Sequence, residues 1–549
     1  MEINELNRTG KGVNFWLCGG LLVVLLISIM GREITRPFYG LHSWAQASGS
    51  WVSRSHVKYG LGYTKGLSTW AVGDPPTTTP RRYFDHPQLG ILLNAGAMAI
   101  FGVNEWSGRV VGIASSIITL LLFLRILRGL VDDKTALLAG MMFVVFPLSG
   151  YFGFGGWFAT FSFLAIYCYL VLIGSLSDGP QPKVWHKVGL AAALFLMLQI
   201  NWAGFFYGFA IGSHYVFRCI FSKRFPDKSL LAILIVAPLV SFLVTLTIMA
   251  GGYDWDVSKI FELFVWRAGK GEYKEVMEKF DWGKWFSVLW GFAVTNFTKP
   301  VLITVLLYMT FGQLMVFMPA RSEDKEPKKS RRFPQLWLFL IPPVALLLTF
   351  RGLVWKHQYW QRPFSPFVAI AAACAVMLLW DILKKLHRQL AVIVTVALVG
   401  VFVAFCVIGT NHYFYVRWQP VEKINMFKKL NAMIPADKQL LSFEDFIVNQ
   451  HSSKGGFIRP EIAWYLDREI VMARKIEDIE RQAATGEYPY YLIPRVETLA
   501  PLINQLVQKY KVADFISGVN GEQSKDGKFL RAGMVSYIVF DLQRKPQSK

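Results

Sequence analysis

The chain has 549 residues, 53% of them hydrophobic and 17% charged, with a formal net charge of +21. Soluble domains carry about 25% charged residues, so this composition, with a mean hydropathy of +0.36, excludes a string of soluble domains, while the apolar content excludes disorder. Five cysteines are too few for a disulfide scaffold, and the positive charge reads either as a nucleic-acid footprint or as the loop charge of a multi-spanning membrane protein.

The first apolar run, residues 13–30, follows a short head carrying Arg8 and Lys11. It is about 18 residues long, enough to span a bilayer. It ends in Gly31-Arg32-Glu33 with no small-residue cleavage pattern, so it is expected to be an uncleaved first helix with its N-terminus in the cytoplasm. Further runs suit membrane helices at 110–127, 136–152, 158–176, 188–200, 202–219, 230–250, 285–317, 335–350, 364–383 and 390–408. The count is about eleven transmembrane helices, and the pair around Asn201 is short enough to be one kinked helix. Residues 87–103 form a further short run, either a span or a helix half-inserted in the interface.

The basic residues decide between the two meanings of the charge. With the N-terminus inside, Arg125, Arg128 and Lys134, then Lys183 and Lys187, then Arg218, Lys223, Arg224 and Lys228, then segment 321–332, then Lys384, Lys385 and Arg388 all fall on the cytoplasmic side. That pattern is topogenic and implies a bilayer rather than a nucleic acid as partner. Three large segments then lie outside the cytoplasm: 32–105, 251–284 and 411–549. The expected division is a membrane module over 1–410 and an extracytoplasmic soluble α/β domain over 411–549, with helices near 421–433 and 496–510 and strands near 439–443, 469–472 and 534–540.

A 70-residue loop between the first two spans is longer than folding requires, and long loops are usually functional. Residues 41–58 read as an amphipathic helix, with Trp44 and Trp51 suited to an interface and His42, Gln46, Ser50, Ser53 and Arg54 forming a polar, solvated face. The loop then reaches Arg81-Arg82-Tyr83-Phe84-Asp85-His86-Pro87-Gln88-Leu89, immediately before an apolar helix. Two readings stay open here. One is a helix cap with interfacial arginines. The other is a pocket in which Arg and imidazolium bind phosphate while a carboxylate or imidazole acts as base. In the middle outer loop, Asp254 and Asp256 read as a solvated turn; no metal site and no cofactor is indicated, a divalent cation remaining an open alternative.

The order of these features resembles the GT-C superfamily of polytopic glycosyltransferases, specifically the relatives of protein O-mannosyltransferases and of the lipid A aminoarabinose transferase, over roughly 13–408. The resemblance rests on His86-Pro87-Gln88-Leu89, on Phe101-Gly102-Val103-Asn104-Glu105 with Arg109, and on the late loop Trp355-Lys356-His357-Gln358-Tyr359-Trp360. It implies an enzyme that takes a sugar from a polyprenyl-phosphate carrier and passes it to an extracytoplasmic acceptor with inversion. The family's first-loop helix opens with Asp-Glu, and His42 stands at the Asp position here. His42-Ser43-Trp44-Ala45-Gln46-Ala47 is closer to a bacterial variant pattern. His42 and Asp85 are thus alternative bases. His86 falls where the aminoarabinose transferases carry a phosphate-binding Lys, with Arg81, Arg82 and Arg109 as further phosphate ligands, and Gln46, His357 and Tyr359 are expected to contact substrate. The resemblance places the enzyme in the inner membrane. A transporter or flippase of lipid-linked glycans, and a membrane-anchored scaffold acting through its tail, are the rival readings; spans with few ionisable residues away from their ends argue against the transporter.

Overall fold

A computed structural model describes residues 2–76, 78, 80–83, 86–153, 157–176, 179–223, 225–252, 254–267, 280–312, 333–416, 421–444, 446–448, 457–520 and 533–546. Asp85, Arg224 and the basic segment 321–332 lie outside the described residues. The chain forms two compact units. The first comprises Met1–Ile34, Phe84–Leu93 and Gly108–Tyr413; the second comprises Thr35–Tyr83, Asn94–Ser107 and Phe414–Lys549.

The first unit is helical, and its helices sit on the apolar runs: Glu2–Gly31, Glu105–Leu130 from Gly108 onward, Asp133–Val145, Pro147–Phe152, Trp157–Leu172, Val184–Ile200, Ala203–Ser222, Lys228–Gly252, Trp282–Phe297, Lys299–Leu307, Ile341–Thr349, Ser365–Leu386 and Arg388–Tyr415. Among the described residues, five helices are long and apolar enough to cross a membrane, or six if the pair Trp282–Phe297 and Lys299–Phe311 is one span. Shorter apolar helices, such as Leu89–Phe101, Val184–Ile200 and Trp337–Thr349, occupy several of the other runs.

Local chemistry explains why single runs become two helices. Pro147 has no N–H to give to a continuing ladder, and Phe146 before it is extended (φ −55°, ψ 133°). Around Asn201 the chain forms two helices rather than one kinked one. Asn201 is extended (φ −159°, ψ 150°), and its side-chain oxygen accepts from Ala203 N at 2.9 Å. Gly204 permits the tight return, because a Cβ there would meet the Met197 carbonyl oxygen at 2.5 Å. The run 285–317 breaks hardest, with a bend of 108°. Thr298 sits at the break with φ 70° and ψ 147°, a conformation a β-branched residue adopts only under constraint.

The second unit combines the first loop with the tail around a five-stranded sheet. Its strands are β3 (Leu440–Ser442), β6 (Ile470–Met472), β7 (Tyr490–Pro494), β8 (Lys511–Asn520) and β9 (Gly533–Asp541), in the order β6-β3-β7-β9-β8. Strand β3 runs parallel to β6 and β7, while β9 is antiparallel to β7 and β8. Successive side chains face opposite ways along a strand, so Leu440 and Leu441 enter different cores. Leu440, Leu492 and Val539 pack with the helices Val421–Met433 and Pro460–Leu466 and with Phe38, Trp51 and Val72 of the first loop. Leu441, Tyr491, Ile493 and Phe540 pack with Ile479 and Leu506, on helices Ile476–Ala483 and Ala500–Lys509. Two short ribbons complete the unit. The first pairs β1 (Ser68–Trp70) with β2 (Arg81–Tyr83), and the second pairs β4 (Ile447–Val448) with β5 (Phe457–Ile458).

Candidate active site

In the second unit, His42 directly precedes the helix Ser43–Thr64. It holds a left-handed backbone (φ 53°, ψ 28°) and is 5% exposed. The next residue fixes this corner: Ser43 Oγ donates to Glu461 Oε1 at 2.9 Å, and Ser43 N bonds to Gly40 O. Burial pushes the Glu461 carboxyl above its usual value, with the Ser43 hydroxyl among the opposing influences. Gln46 lies one turn on and is half-buried.

The helix does not present its polar side to solvent. Ser50, Ser53 and Arg54 are buried, whereas Trp44, Val57 and Leu61 are exposed. The reason is that both terminal nitrogens of Arg54 find acceptors. It donates to the carbonyls of Trp464 (2.7 Å) and Ala463 (2.9 Å) and pairs with Asp467 at 3.1 Å. Lys58 meets the other Asp467 oxygen at 2.7 Å. A buried cation is stable only when paired and hydrogen-bonded in this way.

Arg81 and Arg82 follow on β2. Arg81 lies over the Trp70 ring at 5.2 Å, and Arg82 donates to Tyr63 O at 2.9 Å. These contacts close the loop on itself: β1 and β2 pair antiparallel, and Trp51 Nε1 donates to Ala71 O at 2.7 Å.

The remaining expected site residues belong to the first unit. His86 is half-buried, and its carbonyl accepts from Gln88 Nε2 just before the helix Leu89–Phe101. Arg109 is 5% exposed and donates to Ile34 O (2.7 Å) and Glu33 O (3.3 Å), so it ties the end of the first helical segment to the helix Glu105–Leu130. His357 and Tyr359 are brought together as a parallel stack, with ring centroids 5.2 Å apart and planes within 4°. Tyr359 in turn packs against Phe152 at 5.9 Å. Burial pushes the His357 imidazole down to about 4, with Lys356 adding to the effect, so at neutral pH it is an uncharged ring.

A buried polar network anchors this late loop. Asn296 Nδ2 donates to Gln361 Oε1 (2.9 Å) and Gln358 O (3.0 Å), Tyr413 Oη donates to Asn296 Oδ1 (2.7 Å), and Gln361 Nε2 donates to Leu289 O (2.7 Å). Networks satisfied at this level rigidify the elements they join.

The expected residues thus divide between the units. His42, Gln46, Arg81 and Arg82 are in the second, and His86, Arg109, His357 and Tyr359 in the first. Sequence reasoning missed Glu461 and Asp467, which anchor the His42 helix, and Arg362, a half-buried cation of the first unit that donates to Gly153 O at 3.0 Å. Glu461 and Asp467 lie in an unremarkable tail stretch with no spacing signal, whereas Arg362 was detectable as a lone charge at the head of an apolar run. Among the described residues, no group of three or more His, Cys, Asp or Glu side chains is arranged to hold a metal. Asp256 instead accepts from Ser258 N at 3.2 Å and pairs with Lys259 at 3.3 Å.

Residues 85–242 match the family model of dolichyl-phosphate-mannose-protein mannosyltransferases. No curated protein sequence matches the chain. Among solved structures, ArnT from Cupriavidus metallidurans bound to undecaprenyl phosphate is similar over 97% of this chain and 98% of that one, with a TM-score of 0.58 and 13% identity. The archaeal oligosaccharyltransferase AglB from Archaeoglobus fulgidus, in complex with an inhibitory peptide and a dolichol-phosphate, is similar over 95% of this chain and 74% of that one, with a TM-score of 0.53 and 12% identity. On the matched segment and the shared architecture, the chain has the fold of the GT-C membrane glycosyltransferases.

Proposed function

We propose that the protein transfers a sugar from a polyprenyl-phosphate carrier to an acceptor on the extracytoplasmic face of the inner membrane. The observation that carries this reading is the fold likeness to ArnT, which extends over nearly the whole of both chains. The structures of ArnT and AglB that share this fold hold undecaprenyl phosphate and a dolichol-phosphate. The acceptor is a glycolipid, a polysaccharide or a protein.

The reaction is a single displacement. The acceptor oxygen or nitrogen attacks the anomeric carbon, the bond from that carbon to the phosphate oxygen breaks, and the polyprenyl phosphate leaves with the electron pair. Inversion follows because attack and departure are on opposite sides. Two tasks fall to the protein: a base must take the acceptor proton, and cations must hold the phosphate. His42 and Asp85 are the proposed bases, a neutral imidazole being suited to accept a proton near pH 7. His86, Arg81, Arg82 and Arg109 are the proposed phosphate ligands, though Arg82 and Arg109 already hold backbone carbonyls. Gln46, His357 and Tyr359 are the proposed substrate contacts.

A flippase is the second reading, favoured by one feature: the span broken at Thr298, since discontinuous helices mark transporter binding sites. The test is the purified protein in proteoliposomes with a radiolabelled polyprenyl-phosphate sugar and a membrane extract as acceptor source. Label leaving the carrier for an acceptor, only with the protein present, supports the enzyme. Label that crosses the bilayer still attached to its carrier supports the flippase.

A further inference from the structure

Residues 38–43, which lead into the helix Ser43–Thr64, fold against one short element of the tail. That element is the helix Pro460–Leu466, all seven residues of which are buried. Three contacts join the two segments. Glu461 Oε1 accepts from Ser43 Oγ at 2.9 Å, Tyr465 Oη accepts from Phe38 N at 2.8 Å, and the Trp464 and Phe38 rings meet edge to face with centroids 5.5 Å apart. Tyr465 donates its own proton to Glu105 Oε1 at 3.0 Å, which leaves its oxygen as the acceptor for Phe38. Arg54 repeats the attachment farther along, through the carbonyls of Ala463 and Trp464.

Local preference does not build this corner. The residue before a helix is usually an extended Ser, Thr, Asp or Asn whose side chain caps the first turn. His42 is instead left-handed, and its side chain caps nothing. Such a backbone persists only where its surroundings over-determine it. The surroundings here come from the tail. Glu461 is 5% exposed, so its bond to Ser43 is shielded from water. Burial pushes its carboxyl up, while its own backbone N–H, the Ser43 hydroxyl and the cations Arg459 and Lys423 oppose that shift. A carboxylate held at this depth adds little net stability, but it fixes the direction of the hydroxyl that it accepts from.

We propose that Glu461 is a positioning residue for sugar transfer: through Ser43 it holds the His42 corner, which makes the tail a working part of the catalytic machinery. Tyr465 supports the same corner through the backbone at Phe38. Glu461 acts through His42 and takes no proton from the acceptor itself. The proposal rests on the reading of His42 as the base in a transfer from a polyprenyl-phosphate carrier.

The test is the rate of sugar transfer by the full-length protein in proteoliposomes, with the concentration of a radiolabelled polyprenyl-phosphate sugar varied. Glu461→Ala and Ser43→Ala are each expected to lower kcat by about 10–10²-fold, the scale for a catalytic group displaced by about an ångström, with KM for the carrier within about twofold. Glu461→Gln, whose amide oxygen still accepts from Ser43, keeps most of the rate. In a His42→Ala background, Glu461→Ala causes no further loss, because a residue that acts through His42 has nothing left to act on. A merely structural role gives the same fractional loss in both backgrounds, together with a lower melting temperature, and that result overturns the proposal. So does an unchanged kcat in both Glu461→Ala and Ser43→Ala. Glu461→Gln as inactive as Glu461→Ala overturns it too, since the carboxylate would then be a reacting group. Ser43→Ala removes the same bond from its other end and decides the matter if Glu461→Ala misfolds. If the wild type transfers sugar and His42→Ala does so at full rate, the base reading fails and the proposal with it, while the carrier reading stands. If the wild type transfers no sugar from the carrier, the carrier reading itself fails and takes the proposal with it.

Discussion

His42 combines a left-handed backbone with near-complete burial, and a non-glycine residue in that region is usually held there by its surroundings. The Ser43–Glu461 hydrogen bond is part of what holds it. Its expected role as base gives a plain outcome: His42→Ala lowers the transfer rate by about 10²–10⁴, the range for loss of a general base, with the protein still monodisperse in detergent. Retention of full rate assigns the proton to another group, with Asp85→Asn as the companion variant. His357 makes a different prediction. Its imidazole is depressed to about 4 in the fold, against an ordinary value near 6.5. The unfolded chain therefore binds the proton first. The stability this ring contributes is present above about pH 6.5 and is lost as pH falls from there toward 4. Thermal melting in detergent should show a drop across that window, and His357→Phe should flatten it. An unchanged pH profile in the variant would mean that other groups set the acid sensitivity. The stacking of His357 on Tyr359 was not readable from their two-residue spacing, which says nothing about ring orientation.

The helix Ser43–Thr64 shows where sequence patterning stops being informative. Its existence was legible from residues 41–58, but its orientation was not: the side read as solvated carries the buried Ser50, Ser53 and Arg54. The partners that make burial possible, the carbonyls of Ala463 and Trp464 and the carboxylate of Asp467, are about 410 residues away along the chain. A local pattern holds no trace of them. Breaking this set by Asp467→Ala is expected to destabilise the second unit by about 3 kcal/mol, because Arg54 is left as a buried charge without its carboxylate. Limited proteolysis and thermal melting measure it, and an unchanged melting point would show that the carbonyls alone suffice. In the tail, the helix Val421–Met433 coincides with its expected span, and β3, β6 and β9 fall within a residue or two of theirs. Strands β7 and β8 were not anticipated. The former ends in Pro494, a residue that argues against a strand, and the latter shifts register between Val512 and Asp514, which blurs its alternation. Leu492 on β7 is wholly buried, so Leu492→Ala should cost about 2–5 kcal/mol by cavity formation, read by the same melting experiment.

Across the whole molecule, the charge pattern and the apolar runs located the helices, because spacing and composition are local quantities. Helix length was less accessible. Breaks at Pro147, Asn201 and Thr298 cut runs that looked continuous, or nearly so, and five or six described helices meet the length and hydropathy of a full span. The division of the fold was also non-local: the first loop packs into the tail's core through Phe38, Trp51 and Val72, which linear order does not suggest. The central claim is sugar transfer from a polyprenyl-phosphate carrier. It is tested most directly by following a radiolabelled sugar on that carrier in proteoliposomes containing the purified protein. The account predicts protein-dependent release of polyprenyl phosphate with the label inverted at its anomeric carbon and bound to an acceptor. Label that stays on its carrier, with every acceptor class supplied, would contradict it.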